Sequence, residues 1–389
     1  MTRVGFVAHF DDGWLGRVSY FRNLLTALYA LPDRHIEAVL FAGTQTQQKY
    51  FDGFPDIEIV RSRVFDRSTL PWLIRKLWLR GFSHDRFLER LLKRHGVTVL
   101  SHSGWLGEGA SIPAIAWIPD FQHLRLPDVF DSTEIGLRNR EFHQLCRYCS
   151  AVIVSSFDAQ SDLLKFDASC RPKSHVLQFV SLPDKGVTAF PGRRGLEEKY
   201  QYSGKYFLLP NQLWKHKNHL VVIEALGRLL RENKDVLVLA TGNTTDFRHP
   251  DYFKLLMTRV EELGVADHFR HIGLVPSTDL AGLFYGALAI INPSYFEGWS
   301  TSVEEAKSLG KRVVLSDIPV HREQNPLHGR YFPPDDAKAL AEILWAVWNE
   351  EVPDEMDEIG KASRVADERR GRFARQYQEI VLSVTEHHA

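Results

Sequence analysis

The sequence predicts an α/β protein of two domains, each with a parallel β-sheet covered by helices on both faces. Short apolar runs of strand type alternate with segments of helical periodicity along the whole chain. The alternation stops after residue 182 in a segment rich in Pro, Gly and charged residues, and it then resumes. A chain of 389 residues is also longer than a single hydrophobic core usually supports.

The elements fall into two series of similar length. The first series has strands over 4–8, 36–41, 97–100, 112–118 and 151–154, with a helix over 19–30. The second has strands over 206–210, 236–240, 268–273, 287–291 and 313–316, with a helix over 220–230. A last helix over 372–385 carries Phe373, Tyr377, Ile380 and Val381 at helical spacing. We therefore expect domains over 1–182 and 183–366, followed by a terminal helix within 367–389.

Composition and charge favour a soluble enzyme. Hydrophobic residues make up 44% and charged residues 25% of the chain, which are globular values. A net charge of -1 gives no general attraction to nucleic acid. No apolar run approaches the roughly 18–20 residues that span a bilayer, and the first residues read as a strand without a signal-peptide pattern. These features predict a cytoplasmic protein.

The cysteines indicate neither a zinc site nor a redox centre. Only three occur, and Cys146 and Cys149 form a Cys-x2-Cys pair without the second pair that a zinc site needs. We expect two packed thiols on a helix ahead of the strand over 151–154.

The most informative segment covers residues 295–306. Glu297 and Glu305 are separated by seven residues, at the point where the strand over 287–291 gives way to a helix. Ser302 and Glu305 fit a capping box, which predicts a helix start near Ser302. Backbone N–H groups and the helix dipole favour an anion at such a start. One carboxylate can accept hydrogen bonds from sugar hydroxyls and the other from a ribose, so the segment predicts a site for a nucleotide-activated sugar.

This segment resembles the carboxyl-terminal domain of retaining glycosyltransferases of family 4, the glycosyl transferases group 1. The resemblance is carried by Phe-Glu-Gly, Glu-Ala and Gly-Lys-Arg-Val-Val within residues 296–314, and it continues through 316–323. It implies the α/β GT-B fold, in which two Rossmann-like domains face a central cleft and the last helix crosses back onto the N-terminal domain. It also implies an acceptor domain over 1–182 and a nucleotide-sugar donor domain over 183–366.

The resemblance gives roles to the donor-domain residues. Glu297 would bind sugar hydroxyls and stabilise the positive reaction centre, Glu305 would hold the ribose, and the backbone near Val275 would receive the base. The other predicted donor ligands at this helix start are Gly298, Trp299, Ser300, Thr301 and Ser302.

A second anion site is predicted at the start of the helix over 220–230. Lys217 and the Asn after it match the second part of the family pattern Gly-Arg-x4-Lys-Asn, whereas residues 211–212 are Asn-Gln where Gly-Arg is usual. Lys217 is the predicted phosphate ligand, and Lys215 is predicted to supply the missing positive charge. The alternative is that both are ordinary solvated lysines.

The first half of the chain contributes further candidates. Gly16 and Arg17 follow the first strand, where relatives usually have a Gly-Gly pair that approaches the donor phosphate. Many relatives have His-Asp beside the reacting sugar, and this chain has Pro before Asp120. Asp120 is therefore a predicted catalytic residue, and His123, one turn later, can substitute for the missing histidine. His102, after an earlier strand, is a further candidate.

Residues 61–94 form a basic segment, in which ten Lys and Arg residues against three acids give a net charge of +7. Within 71–82, Trp and Leu alternate with basic residues, a pattern typical of a helix lying on an anionic membrane surface. The alternative is a helix that packs its Trp and Leu on the sheet and turns its arginines to water. We hypothesise membrane contact, and hence a peripheral position at the inner membrane face.

The sequence therefore predicts a retaining glycosyltransferase that moves a hexose or deoxyhexose from a nucleoside diphosphate to a glycan or lipid-linked acceptor, in bacterial surface polysaccharide synthesis. No Asp-x-Asp occurs, so we expect no metal and no cofactor beyond the nucleotide-sugar co-substrate. Three alternatives stay open: a sugar-nucleotide epimerase of the same fold, a non-catalytic sugar-nucleotide-binding partner, and a NAD-dependent oxidoreductase. The last lacks Gly-x-Gly-x2-Gly after the first strand.

Overall fold

The chain folds into two units, each built on one parallel β-sheet. The computed structural model describes residues 1–10, 15–182, 192–351 and 355–388. The first unit contains Met1–Phe121, Ser132–Phe179 and Glu368–Ala389, and the second contains Gln122–Asp131 and Val180–Asp367. This division lies close to the boundaries predicted at 182 and 366. It differs in one respect, because the short segment Gln122–Asp131 groups with the second unit.

The first unit has a seven-stranded sheet in the order β3-β2-β1-β4-β5-β6-β7, with every neighbouring pair parallel. Its strands are β1 (Thr2–Val7), β2 (Ile36–Ala42), β3 (Glu58–Arg61), β4 (Val99–Ser101), β5 (Ala114–Ile118), β6 (Ala151–Val154) and β7 (Ser174–Val176). The helices along this part of the chain are α1 (Leu15–Tyr29), α2 (Leu70–Phe82), α3 (Arg86–Arg94), α4 (Gln122–Arg125), α5 (Ser132–Tyr148) and α6 (Phe157–Phe166).

The second unit has a six-stranded parallel sheet in the order β10-β9-β8-β11-β12-β13. Its strands are β8 (Phe207–Leu209), β9 (Val238–Ala240), β10 (Phe269–His271), β11 (Ile290–Asn292), β12 (Val313–Ser316) and β13 (Gly329–Phe332). The helices are α7 (Gly192–Tyr200), α8 (His219–Arg231), α9 (Tyr252–Glu262), α10 (Ser277–Gly286), α11 (Thr301–Ser308), α12 (Pro319–Gln324), α13 (Ala337–Asn349) and α14 (Glu355–Glu386).

Both faces of the second sheet are buried, which explains why its strands appear in the sequence as continuous apolar runs. Alternate residues of β8 enter different cores: Phe207 and Leu209 pack in one hydrophobic cluster and Leu208 in another. The next strand, β9, divides in the same way, with Val238 in the first cluster and Leu239 in the second. A strand covered on both faces needs apolar side chains at every position.

Three strands were missed by the sequence analysis, and all three lie at sheet edges. They are β3, β7 and β13, whose sequences are Glu-Ile-Val-Arg, Ser-His-Val and Gly-Arg-Tyr-Phe. Most of their residues are half-buried or exposed, so no apolar run marks them. Polar side chains are common on edge strands, because an apolar edge would invite pairing with another chain.

The carboxyl-terminal half of α14 belongs to the first unit. Tyr377 is fully buried there, with its ring 5.7 Å from that of His102. The side chain of Gln378 donates to the carbonyl of Asp33 at 3.1 Å and accepts from the backbone N–H of His35 at 2.7 Å. The helix begins at Glu355, well before the predicted start at residue 372.

All three cysteines are free and buried in the core of the first unit. Cys146 lies at the end of α5, as the sequence predicts, and its thiol has the Cys170 thiol as a neighbour. The ligand atoms of Cys146, Cys170 and Asp167 lie within 4.8 Å of one another. Among the helices of the described ranges, none combines the length and hydropathy of a membrane span.

Candidate functional site

The candidate donor site lies in the second unit, where the loops after β8 and β11 meet. The strands run parallel, so their carboxyl ends share one edge of the sheet. Backbone and side-chain bonds hold the two loops together: the N–H of Tyr295 donates to the carbonyl of His216 at 2.9 Å, and the amide of Asn218 donates to the carbonyl of Pro293 at 3.2 Å. Residues distant in sequence are therefore fixed beside each other.

Glu297, predicted to contact the sugar, forms an ion pair with Lys217, predicted to bind phosphate. Oε1 of Glu297 lies 2.7 Å from Nζ of Lys217, and the side chains are only 10% and 15% exposed. The hydroxyl of Ser294 donates to the same oxygen at 2.7 Å. Burial alone would raise the pKa of the Glu297 carboxyl, but the Lys217 charge and the two hydrogen bonds lower that pKa to about 2. Glu297 is therefore an anion at neutral pH.

Asn292, the last residue of β11, connects this carboxylate to the start of α11. Its side chain is fully buried. The amide nitrogen donates to the hydroxyl of Ser300 at 2.8 Å and lies 3.4 Å from Oε1 of Glu297, while the amide oxygen lies 2.7 Å from the hydroxyl oxygen of Ser294. The sequence analysis did not select Asn292. A polar side chain that ends an otherwise apolar strand is the signal that would have found it.

The predicted helix cap at Ser302 is wrong, because Ser300 caps α11. The Ser300 hydroxyl accepts from the backbone N–H three residues later at 3.4 Å, and the helix begins at Thr301. The side chain of Gln324 binds both backbone groups of Ser300, accepting from its N–H at 3.3 Å and donating to its carbonyl at 3.0 Å. Together with the bond from Asn292, these contacts select one of three adjacent hydroxyl residues as the cap.

The two neighbouring acids of α11 have different surroundings. Glu304 is fully buried and accepts from Lys307 and from the side chain of Gln324, both at 3.0 Å. Glu305 is half-buried and accepts from the hydroxyl of Ser181 at 3.2 Å. Glu304 therefore braces the helix, whereas Glu305, the predicted ribose ligand, stays accessible. Ser181 precedes Glu305 by 124 residues, and no local pattern points to it.

The two predicted phosphate-binding lysines are not equivalent. Both lie in the 3-10 turn Lys215–Lys217, but the side chain of Lys215 is exposed. Its backbone N–H donates to the carboxylate of Asp246 at 3.1 Å. Asn218 follows in the left-handed conformation, with φ of 54°, so α8 begins at His219.

Gln212, one of the two residues at which this chain departs from the Gly-Arg of the family pattern, holds the loop after β9 in place. The side-chain oxygen of Gln212 accepts from the backbone N–H of Asn243 at 2.7 Å. The residue before Asn243 is Gly242, with φ of +149°, where a Cβ atom would lie 2.3 Å from the carbonyl oxygen of Asn211. The close approach of the loops after β8 and β9 therefore requires a glycine.

The other predicted donor ligands lie along the same edge. Val275 is half-buried and follows Gly273, whose carbonyl accepts from the hydroxyl of Thr241 at 2.6 Å. In the loop before α11, Gly298 is half-buried and Trp299 is buried. At the helix start, Thr301 is half-buried and Ser302 is buried.

Three buried histidines carry no charge at neutral pH in this unit. Burial, reinforced by the charge of Lys217, lowers the pKa of His216 and of His219 to about 3. Burial lowers the pKa of His321 to about 4, and the ring nitrogen Nδ1 of His321 lies 2.9 Å from the carbonyl of Ser316. These histidines therefore add no positive charge to the candidate site.

The candidates from the first half of the chain lie at the starts of α1 and α4 and after the ends of β4 and β5. The predicted loop over 11–19 falls partly outside the described residues; within α1, Gly16 is exposed and Arg17 half-buried. Asp120 is half-buried. His123 is buried in α4 and belongs to the segment that groups with the second unit, with its ring 6.3 Å from that of Phe130.

His102 is a buried residue whose two ring nitrogens both have partners in the first unit. Nε2 lies 2.9 Å from the hydroxyl of Tyr20, and Nδ1 lies 2.7 Å from the hydroxyl of Ser101. Burial lowers the pKa of the imidazole to about 3, and the charge of Arg17 adds to this effect. These contacts indicate a bracing role for His102.

Comparison with known proteins gives matches over part of the sequence and over the whole fold. Residues 198–365 match the family described as glycosyl transferases group 1. The O-antigen chain mannosyltransferase RfbU of Salmonella typhimurium is 29% identical over 149 residues, which cover 38% of this chain and only 39% of that protein. The match thus spans well under half of this relative.

Two solved structures share the fold along essentially the full length. Anabaena HepE in complex with UDP and glucose gives a TM-score of 0.69 at 15% identity, covering 98% of this chain and 100% of that one. A glycosyltransferase from Rickettsia africae gives 0.66 at 18% identity, covering 100% and 98%. The predicted α/β fold with two Rossmann-like sheets, of the GT-B type, is confirmed.

Proposed function

We propose that the chain transfers a sugar from a nucleoside diphosphate donor to an acceptor hydroxyl, because residues 198–365 match the glycosyl transferases group 1 and the chain has the GT-B fold. The transfer retains the anomeric configuration and uses no metal ion. The observation that carries the proposal is the ion pair of Lys217 and Glu297 beside the start of α11.

The two side chains can act on the two sides of the bond that breaks in the donor, Lys217 on the phosphate and Glu297 on the sugar. An ammonium group has three N–H donors, so Lys217 can bind a phosphate oxygen while it still contacts Glu297. The backbone N–H groups at the start of α11, near Thr301, add favourable interactions with the diphosphate. Glu297, kept ionised by Lys217, accepts hydrogen bonds from sugar hydroxyls and stabilises positive charge at the anomeric carbon.

The reaction follows from this arrangement of charges. The bond between the anomeric carbon and the phosphate oxygen breaks, and the electron pair leaves with the nucleoside diphosphate. The acceptor hydroxyl attacks the resulting oxocarbenium-like carbon on the same face. Its proton passes to the departing phosphate oxygen, so no protein base is required. Lys217 and Lys215 neutralise the charge that develops on the leaving group.

The remaining predicted residues have the roles that the family resemblance implies. Glu305, accessible on α11, accepts hydrogen bonds from the ribose, and the backbone near Val275 contacts the base. Asp120 and His123 are assigned to the reacting sugar, and Gly16 with Arg17 to the donor phosphate; these assignments come from the family resemblance.

The acceptor is a glycan or a lipid-linked glycan of a bacterial surface polysaccharide. Support comes from the relative named as an O-antigen chain mannosyltransferase, whose name also makes a mannosyl donor a candidate beside the UDP-sugars. We place the protein on the cytoplasmic side, at or near the inner membrane, as part of this proposal.

The first experiment measures thermal stabilisation by UDP, GDP, dTDP, ADP and CMP. A ligand at 100 times its dissociation constant stabilises the folded state by about 2.7 kcal/mol. We expect one nucleotide to exceed the others. Its effect should fall in Glu305→Ala and persist in Glu342→Ala, which removes an exposed acid of α13. No stabilisation by any nucleotide would contradict the proposed donor site.

A second experiment tests turnover and stereochemistry with the sugar nucleotide of the preferred base. Release of the nucleoside diphosphate that depends on an added glycan acceptor indicates transfer, and NMR of the product reports retention or inversion. A changed sugar nucleotide without acceptor would indicate an epimerase. Binding without turnover on an acceptor panel would favour the non-catalytic partner, an alternative supported by the departures from the family pattern at Gln212, Arg17 and Pro119.

A further inference from the structure

Helix α2 turns a stripe of apolar side chains outward instead of toward the core. None of its 13 residues is buried. Leu70, Leu73, Ile74 and Leu77 are 68%, 47%, 43% and 59% exposed. They lie at positions i, i+3, i+4 and i+7, which form one face of a helix. A helix of a soluble protein normally buries such a face. The sequence alternative, a helix that packs its Trp and Leu on the sheet, is therefore wrong for these four residues, whereas Trp72, Trp78 and Leu79 are half-buried.

In residues 61–94, which contain this stripe, the acidic side chains are buried and most of the basic side chains are exposed. The three acids within residues 61–94 are all buried: Asp66 is 5%, Asp85 1% and Glu89 6% exposed. Internal partners hold two of them, since Arg75 contacts Asp85 at 2.7 Å and Lys93 contacts Glu89 at 2.9 Å. The segment's net charge of +7 is therefore presented to solvent by basic side chains alone. Besides Lys93, the exposed basic residues of the segment are Arg61, Arg63, Arg67, Lys76, Arg80, Arg86, Arg90 and Arg94.

An aromatic cluster lies at the end of the helix beside the stripe. The ring of Trp78 stacks on that of Phe82 at 4.2 Å, and Phe87 meets Trp78 edge-on at 6.1 Å. Phe82 is 63% exposed, and the guanidinium of Arg86 lies 5.7 Å from the centre of the Trp78 ring. Aromatic rings with nearby cations are suited to the headgroup level of a bilayer.

We propose that α2 docks on the surface of an anionic lipid bilayer. The Leu70, Leu73, Ile74 and Leu77 stripe enters the boundary between headgroups and acyl chains, while Lys76 and Arg80, one turn apart beside it, contact anionic headgroups. Charge complementarity selects this occupant, because the exposed charges of residues 61–94 are all positive and match an anionic membrane. Two exposed acids of other segments lie nearby: Glu141 of α5 acts on the charge of Lys76, and the backbone N–H of Glu108 donates to the carbonyl of Ser83 after α2. The surface lies in the first unit, so the proposal does not depend on the donor site in the second.

The test is co-sedimentation of the full chain with vesicles of phosphatidylcholine containing 30% phosphatidylglycerol, compared with pure phosphatidylcholine, at low and high salt. We expect at least tenfold stronger binding to the anionic vesicles at low salt, weakened by high salt. Leu73→Ser/Leu77→Ser and Lys76→Glu/Arg80→Glu should each reduce binding about tenfold or more. Only the charge variant should also reduce the salt dependence.

Matched controls separate docking from general surface effects. Leu327→Ser removes an 86% exposed leucine of the second unit, and Lys338→Glu reverses a 74% exposed charge on α13; both should bind vesicles as wild type does. The altered positions are exposed, and unchanged melting temperatures would confirm folding. Failure of the wild type to bind anionic vesicles at low salt would overturn the proposal. So would a wild-type dimer that Leu73→Ser/Leu77→Ser converts to a monomer while vesicle binding stays absent.

Discussion

The ammonium nitrogen of Lys217 lies 2.7 Å from a carboxylate oxygen of Glu297, a residue 80 positions later in the chain. The pair joins the turn before α8 to the loop before α11 in a largely buried setting. Burial opposes ionisation of the carboxylate, and Lys217 reverses that preference. The two side chains therefore act as one charged unit, and removing either one changes the other.

Replacing Lys217 with methionine should leave the Glu297 carboxylate buried without its cation. We expect a loss of about 3–5 kcal/mol in the free energy of unfolding at pH 7. The carboxylate can escape this cost by binding a proton, so the difference between wild type and Lys217→Met should shrink as the pH falls toward 4. Chemical denaturation at several pH values measures both effects.

The double variant Lys217→Met/Glu297→Gln is the control for this pair. With both charges removed, most of the lost stability should return, whereas transferase activity should stay reduced by a hundredfold or more. A double variant no more stable than Lys217→Met would show that the ion pair does not account for the loss.

The adjacent acids of α11 should respond in opposite ways to the same substitution. Glu305→Gln should weaken nucleotide binding about tenfold with little effect on stability, because Glu305 is accessible. Glu304→Gln should lower the melting temperature, because the buried Glu304 carboxylate accepts from Lys307 and Gln324. Calorimetric titration and thermal unfolding on both variants test this. Equal nucleotide affinities in the two variants would remove Glu305 from the donor site.

The buried histidines should make the second unit sensitive to mild acid. His216 and His219 have a folded-state pKa of about 3 and His321 of about 4, whereas unfolded histidines titrate near 6.5. Below pH 6.5 the unfolded chain binds more protons. The stability present above that pH is therefore lost as the pH falls toward 4, at up to about 1.4 kcal/mol per pH unit for each histidine.

The variant that checks this pH dependence is His219→Gln. The slope of unfolding free energy against pH between 6.5 and 4.5 should decrease by about one proton's contribution, whatever the variant does to stability at pH 7. A slope identical to that of the wild type would mean that His219 titrates alike in both states.

Two glycines with positive φ should differ in their tolerance of a methyl group. Gly242→Ala places a Cβ 2.3 Å from the carbonyl oxygen of Asn211, which must displace one of the loops at the donor site. We expect a loss of about 1–3 kcal/mol together with weaker nucleotide binding. Gly264→Ala meets open space at φ of +67°, so it should cost about 1 kcal/mol and leave binding unchanged. Thermal unfolding and nucleotide titration compare them.

The thiols should be unreactive in the folded protein. All three are buried, and burial raises the pKa of Cys149 to about 12, so almost no Cys149 thiolate is present at pH 7. The hydrogen bond with Cys146 lowers the pKa of Cys170, so for that thiol the protection comes from its burial. A disulfide reagent that reports free thiols should react with the native protein no faster than the protein unfolds. In guanidinium chloride, which unfolds the protein, the reagent should detect three thiols per chain. Rapid reaction of a native thiol would contradict the buried placement.

Much of the architecture could be predicted because the central strands are covered on both faces. The runs over 151–154 and 313–316 coincide with β6 and β12. The edge strands β3, β7 and β13 escaped prediction, since a half-exposed strand needs no continuous apolar run. The long helix α14 was predicted only over its carboxyl-terminal half.

The sequence by itself determined the order of the ten strands other than β3, β7 and β13, the two-series α/β pattern, the family resemblance, and which acids and lysines stand near the ends of these strands. These features depend on spacing within a few residues, which the sequence displays directly. Only the tertiary structure decided that Lys217 pairs with Glu297, that Ser181 contacts Glu305, and that Ser300 instead of Ser302 caps α11. It also decided that Leu70, Leu73 and Leu77 of α2 face solvent. Each of these outcomes depends on tertiary packing, which brings loops distant in sequence together and decides which helix faces are covered. The spacing of residues within a few positions does not contain that information.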